Sequence, residues 1–168
     1  MSSPRVSNVE ALTAAHDFSE FDCGKPELTQ WLRRFALTSQ QSESARVYVV
    51  HRANTVVGYY ALATGGVARN EAPKRIGQGL GDYEIPVILL ARLAVHQAEQ
   101  DKGLGRALLR DAFLRIARAA DAVGARALLV HALDDEAKAF YMRFDMEESP
   151  TDPLHLFLLM KDLRAALR

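Results

Sequence analysis

Residues 87–106 read VILLARLAVH followed by QAEQDKGLGR, an arrangement able to bind phosphate through the backbone. The apolar run reads as a buried strand, and Gly103 and Gly105 let the chain after it turn tightly and approach a ligand closely. A helix then opens near Leu104. Its first amides have no acceptor inside the helix and form the positive end of its dipole, so a pyrophosphate can dock there with Lys102 and Arg106 alongside. A dinucleotide fingerprint requires GxGxxG and a P-loop requires GxxxxGK before Ser or Thr; residues 100–106, QDKGLGR, fit neither. They fit Gln-x-x-Gly-x-Gly, carried by Gln100, Gly103 and Gly105.

The elements around this junction alternate between helical and strand patterns. From Pro26 the apolar residues Leu28, Trp31, Leu32 and Phe35 recur at i, i+3, i+4 and i+7, which predicts an amphipathic helix with Pro in its first turn. Residues 46–51 and 55–64 are rich in β-branched and aromatic side chains and predict an antiparallel hairpin. A long connection follows over 65–83, with a short helical turn expected near 73–76. Residues 104–123 form the clearest helix: Leu108, Leu109, Ala112, Phe113, Ile116, Ala119 and Ala120 share one arc, and Arg110, Asp111, Arg115 and Arg118 the other. Gly124 ends it, and a strand over 126–131, a short helix to about Phe144 and a strand over 154–160 complete the order. This order predicts an α/β (α+β) chain, a mixed sheet with helices on its faces, folded as one domain over 1–168.

Composition narrows the function classes. With 21 basic and 21 acidic residues the chain as a whole is no polyanion binder, yet residues 102–126 hold six basic side chains against Asp111 and Asp121. The lone Cys23 excludes an internal disulfide and reads as a small packing residue in a turn. No apolar run approaches the roughly 20 residues needed to cross a bilayer, and the first residues lack a signal-peptide core, which together predict a cytoplasmic protein without a membrane partner.

The loop Gln100, Gly103 and Gly105 resembles the acetyl-coenzyme A loop of the GNAT acetyltransferases. Four further blocks narrow the resemblance: FDCGKPEL (21–28) with Trp31 and Leu32, LARLAVH (90–96), LVHALDDEA (129–137) and FYMRF (140–144). Spanning roughly residues 8–165, they are similar to the GNAT-type toxins of bacterial toxin–antitoxin modules. The resemblance implies a GNAT fold, a mostly antiparallel twisted sheet with acetyl-CoA at its splayed central strands. It implies transfer of acetyl to the α-amine of an aminoacyl-tRNA, neutralisation by a ribbon-helix-helix antitoxin that binds operator DNA, and a homodimer. Leu93, Ala94 and Val95 would then supply backbone groups to the pantetheine arm, with the amide of Leu93 or a neighbour as oxyanion donor. Gln100, Asp101, Lys102, Gly103, Leu104, Gly105 and Arg106 would hold the pyrophosphate, and Asp134 stands where many members carry Asn near the arm.

Acyl transfer from a thioester needs a neutral amine and a protonated leaving thiol. An α-amine titrates near pH 8, so a dedicated base is dispensable, and a tyrosine hydroxyl can protonate the departing sulfur. Tyr141 matches the family's tyrosine acid; from the residues alone, Phe140 and Tyr141 read equally well as a core pair. His96, His131 and Glu84 are open as bases or as structural residues. No metal is expected. Three positions depart from the family: Asp101 stands for a common Gly and adds negative charge beside the phosphate site, and Asp145 and Met146 replace the Gly and Phe after Tyr141. If the Gly at 145 has positive φ, Asp tolerates it at moderate cost. A tRNA acceptor would be held through its phosphates, with Arg33, Arg34, Lys74, Arg75 and Arg92 as candidates. Two alternatives stay open: an acetyltransferase of a small-molecule or protein amine, and a non-catalytic coenzyme A-binding or structural subunit in which Tyr141 only packs.

Overall fold

Residues 4–168 are described by a computed structural model; residues 1–3 of the expected 1–168 domain lie outside the described residues. From the amino end the chain forms a short strand, β1 (Glu10–Ala11), and a helical stretch in which α1 (Pro26–Trp31) and α2 (Leu37–Gln41) are joined by a π-helical turn (Leu32–Ala36). The hairpin follows as β2 (Arg46–Arg52) and β3 (Thr55–Val67), then α3 (Lys74–Gly77) and β4 (Ile85–Val95). The remainder is α4 (Leu104–Val123), β5 (Ala127–His131), α5 (Asp135–Met142), β6 (Glu147–Glu148), β7 (His155–Leu159) and α6 (Met160–Ala166). The strands join in one mixed sheet in the order β1-β2-β3-β4-β5-β7-β6. β4 and β5 run parallel, whereas β1–β2, β2–β3, β5–β7 and β6–β7 are antiparallel. Along the chain two compact units share β3, β4 and α4.

The first unit takes the chain up to Leu62 together with Arg92–Ala112. Its hairpin closes through Ala53 (φ 47°) and Asn54 (φ 74°), both left-handed, as a two-residue turn requires when it must match the strand twist. Its core is Leu12, Phe21, Leu32, Val47, Val49 and Tyr59, and Tyr59 donates its hydroxyl to the Leu28 carbonyl at 2.7 Å. Gly58 on β3 lets α4 come close: a Cβ there would meet Leu108 and Val50 side-chain carbons, each at 3.0 Å. The sequence period placed Phe35 on the inner face of the first helix, and here the structure differs. The i→i+5 turn adds a residue, so Leu32 and Ala36 face the core and Phe35 is 55% exposed.

The second unit takes Ala63–Ala91 and Phe113–Arg168. Val67, Ile76, Ile85, Val87, Ala127, Leu129 and Phe157 form its core. The helical turn expected near 73–76 is α3, and α4 covers residues 104–123 as its periodicity predicted. Ala119, expected on the apolar arc, is exposed. Three short elements were not anticipated. β1 and β6 have two residues each, too few for a period to register, and α6 begins at Met160, where the last strand was expected to end.

Candidate active site

β4 ends at Val95, and the His96 amide donates to the Val57 carbonyl at 2.9 Å. The chain then makes a single 3-10 turn (Gln97–Glu99), turns left-handed at Asp101 (φ 64°) and again at Gly103 (φ 84°), and enters α4 at Leu104. The first bond of the helix runs from the Ala107 amide to the Gly103 carbonyl at 3.1 Å. The amides of residues 104–106 therefore have no acceptor in their own helix and face the loop with the dipole's positive end. A Cβ on Gly103 would meet nothing within 4 Å, so the approach to these amides is open. This is a cradle whose donors and space suit a phosphate.

The side chains around the cradle divide by role. Gln100 gives its amide nitrogen to the carbonyls of Cys23 and Val95, both at 2.9 Å, and so ties the loop to the end of β4 and to the turn before α1. Glu99 accepts a bidentate pair from Arg52 at 2.9 and 3.0 Å and sits 3.5 Å from Lys102. The Arg52 hydrogen bonds hold the Glu99 carboxyl below its ordinary range. Lys102 and Arg106 are exposed, as is Asp101, whose charge is thus well solvated. Leu93 and Val95 are half-buried and Ala94 is buried on β4. The β4–β5 ladder pairs 87–90 with 127–130, and β4 continues to Val95 beyond it.

Tyr141 lies near the end of α5. That helix begins because Asp134 caps it, accepting from the Ala137 amide at 2.9 Å; this is a structural task for a residue expected near the cofactor arm. Asp145 follows with φ 61°, so both sites where Asp stands for Gly are left-handed. Tyr141 is 5% exposed and packs edge-on against Phe140 at 5.2 Å. Burial pushes its hydroxyl well above the ordinary tyrosine range and keeps it protonated. Among the described residues the hydroxyl has no hydrogen-bond partner, yet no fully buried side-chain oxygen lacks one. The hydroxyl therefore keeps a small exposed tip although the ring is buried.

The other candidates are scattered. Arg33 and Arg34 are exposed on the π turn, Lys74 is exposed at the start of α3, and Arg92 lies 4.5 Å from the centre of the Trp31 ring. Arg75 is engaged by Glu147 at 3.0 Å and Asp162 at 2.7 Å. His96 accepts from the Asp22 amide at 3.1 Å, and His131 stacks on His155 at 4.0 Å. Glu84 is exposed, and Cys23 is buried against the Thr29 hydroxyl at 3.3 Å. A carboxylate with two imidazoles, Glu10, His16 and His51, was not singled out from the sequence because His51 is distant in the chain and the Glu10–His16 spacing matches no helix or strand period. The Nδ1 atoms of His16 and His51 accept from the Thr13 and Asn54 amides at 3.0 and 3.1 Å, so each Nε2 carries the hydrogen that Glu10 accepts at 2.7 Å. Both imidazoles are donors there, leaving no ring lone pair facing Glu10 for a cation, and the hydrogen bonds, from His16 foremost, lower the Glu10 pKa.

Comparison with known proteins agrees with this geometry. The acetyltransferase (GNAT) domain model matches residues 43–145. The tRNA-acetylating toxin of Mycobacterium tuberculosis (strain ATCC 25618 / H37Rv) is 53% identical over 156 residues, 93% of each chain. AtaT complexed with acetyl-methionyl-tRNAfMet superposes with a TM-score of 0.88 at 27% identity, covering 98% of this chain and 100% of that one. A tyrosine-to-phenylalanine mutant of the AtaT toxin, bound to the C-terminus of the antitoxin AtaR and acetyl-CoA, gives 0.83 at 26% identity over 96% and 97% of the two chains.

Proposed function

The chain belongs to the GNAT acetyltransferase family, and on that footing we propose that it is a toxin that moves acetyl from acetyl-CoA to the α-amino group of an aminoacyl-tRNA, blocking translation. The observation that carries this reading is the tight turn where β4 gives way to α4, with Gly103 left-handed and the first amides of the helix ahead of its first internal hydrogen bond.

Acetyl-CoA, when bound, supplies an acetyl group activated as a thioester. Residues 104–106 and Gly103 hold the pyrophosphate through main-chain amides, with Lys102 and Arg106 adding charge and Leu104 and Gly105 forming the first turn. Gln100 positions the loop through Cys23 and Val95. Asp101 shapes the turn by its left-handed backbone. Leu93, Ala94 and Val95 offer backbone groups to the pantetheine arm, and Asp134 sets the start of α5. The neutral α-amine forms the new C–N bond as the C–S bond breaks. Tyr141 gives its proton to the departing sulfur, the amine nitrogen loses a proton to water, and the phenol is restored from solvent. Burial suits Tyr141 to this task by keeping the phenol loaded with its proton across the working pH range.

A ribbon-helix-helix antitoxin that also binds operator DNA neutralises the enzyme, in keeping with the antitoxin-bound AtaT. The chain acts as one domain, as a homodimer and in the cytoplasm; among the described residues no helix is long and apolar enough to cross a membrane. Adding the purified protein with acetyl-CoA to a cell-free translation reaction is expected to halt synthesis, and Tyr141→Phe to leave it running. Unimpaired translation with acetylation of free amines would overturn the tRNA reading in favour of a small-amine enzyme.

A further inference from the structure

The helical stretch after Pro26 departs from α-geometry at Leu32–Ala36, and the departure changes what its surface displays. A uniform helix running on from Leu28, Trp31 and Leu32 would turn Phe35 inward. The π turn instead seats Leu32 and Ala36 in the core, each 0% exposed, and leaves Phe35 55% exposed. Turning a phenyl ring to water forfeits apolar burial, and π turns are rare and concentrated at functional sites. The two residues before it, Arg33 and Arg34, are exposed and have no hydrogen-bond or ion-pair partner among the described residues. One turn back, the Trp31 ring has the Arg92 guanidinium of β4 4.5 Å from its centre and stacks on Tyr59 at 5.9 Å. The rings of Trp31 and Phe35 thus flank two arginines that have no partner among the described residues.

We propose that Phe35 is a stacking platform for an unpaired base of RNA, with Arg33 and Arg34 gripping the phosphates on either side. The assignment rests on the aminoacyl-tRNA reading and gives this surface to the single-stranded acceptor end. Every base has a π-face, so stacking on an exposed ring tolerates any sequence, and the planar guanidinium fork matches phosphate oxygens. An apolar peptide covering Phe35 would strip water from two guanidiniums without pairing them; a phosphodiester strand pairs both.

The test is fluorescence anisotropy with a labelled short single-stranded RNA ending in CCA. The native protein is expected to bind it, to lose binding when the strand is annealed to its complement, and to weaken about tenfold in Phe35→Ala while Phe35→Trp retains affinity. Arg33→Gln with Arg34→Gln should lower the salt dependence of binding, which Phe35→Ala leaves as it was. In steady-state acetylation, Phe35→Ala should raise KM for aminoacyl-tRNA about tenfold and spare kcat, and its calorimetric affinity for acetyl-CoA serves as the check on folding. Equal RNA affinity of the native protein and Phe35→Ala overturns the platform, as does a loss confined to affinity for the ribbon-helix-helix antitoxin. If the native protein acetylates no aminoacyl-tRNA, the function fails on its own, and the oligonucleotide result still decides the platform.

Discussion

Tyr141 combines two properties that seldom occur together: a buried ring and a hydroxyl with no hydrogen-bond partner among the described residues. Removing that one oxygen leaves the packing against Phe140 in place, so Tyr141→Phe should lower kcat by about 10²–10⁴-fold and leave acetyl-CoA affinity unchanged, as read by steady-state kinetics and calorimetry. The shift in its pKa also fixes the sign of the pH profile. The acid form is the active form and its pKa is raised, so no falling limb from Tyr141 should appear below about pH 10. The rising limb, from deprotonation of the substrate α-amine near pH 8, should stand alone in a profile of kcat/KM. A descending limb that vanished in Tyr141→Phe would contradict this. Asp145 makes a second residue-scale case. With φ 61° it carries the strain of an L-residue in the left-handed region, and Asp bears this better than a branched side chain. Asp145→Val should destabilise the protein by about 1–2 kcal/mol in denaturant unfolding, and Asp145→Gly should do no worse than the native residue.

At the scale of elements, the junction of β4 and α4 presents the first amides of a helix, ahead of its first internal bond, on a turn whose shape is fixed from outside. Gln100 supplies the fixing. Gln100→Ala leaves the carbonyls of Cys23 and Val95 without their donor, and two lost hydrogen bonds of this kind are worth about 1–3 kcal/mol. The expected readout is weaker acetyl-CoA binding with kcat at saturating cofactor nearly unchanged. Gly103→Val meets no steric neighbour, so its effect would come from forcing a β-branched residue to φ 84°; acetyl-CoA binding measured by calorimetry should be lost. The first helix shows how an element can mislead a periodic reading. Leu28 and Leu32 fit a 3.6-residue repeat, and one wide turn was enough to exchange Phe35 for Ala36 on the inner face.

For the whole molecule, net charge is zero at 21 basic and 21 acidic residues, so capture of RNA has to come from local charge. Several arginines are already committed within the protein: Arg52 to Glu99, Arg75 to Glu147 and Asp162, and Arg164 to Asp121 at 2.8 Å. Those left over, Arg33 and Arg34 among them, would allow only a few phosphate contacts. KM for aminoacyl-tRNA should therefore rise with salt, but with a shallow log–log slope of roughly 2–4. A slope near zero in acetylation assays across a salt series would remove the phosphate contacts from the account.

The chain order alone determined much of this protein. Strands and helices of more than one or two turns announced themselves because side-chain burial imposes a period on residues that are neighbours in sequence, and the loop proposed to hold phosphate could be picked out because Gly103 and Gly105 are close along the chain. Tertiary structure decided what depends on distant partners: Gln100 reaching Cys23, Glu10 joining His16 and His51, Arg75 meeting Asp162, and Phe35 turned out by a π turn that core packing selects. Hydrogen bonds and ion pairs between residues tens of positions apart leave no period to read, since their geometry exists only after the backbone has folded.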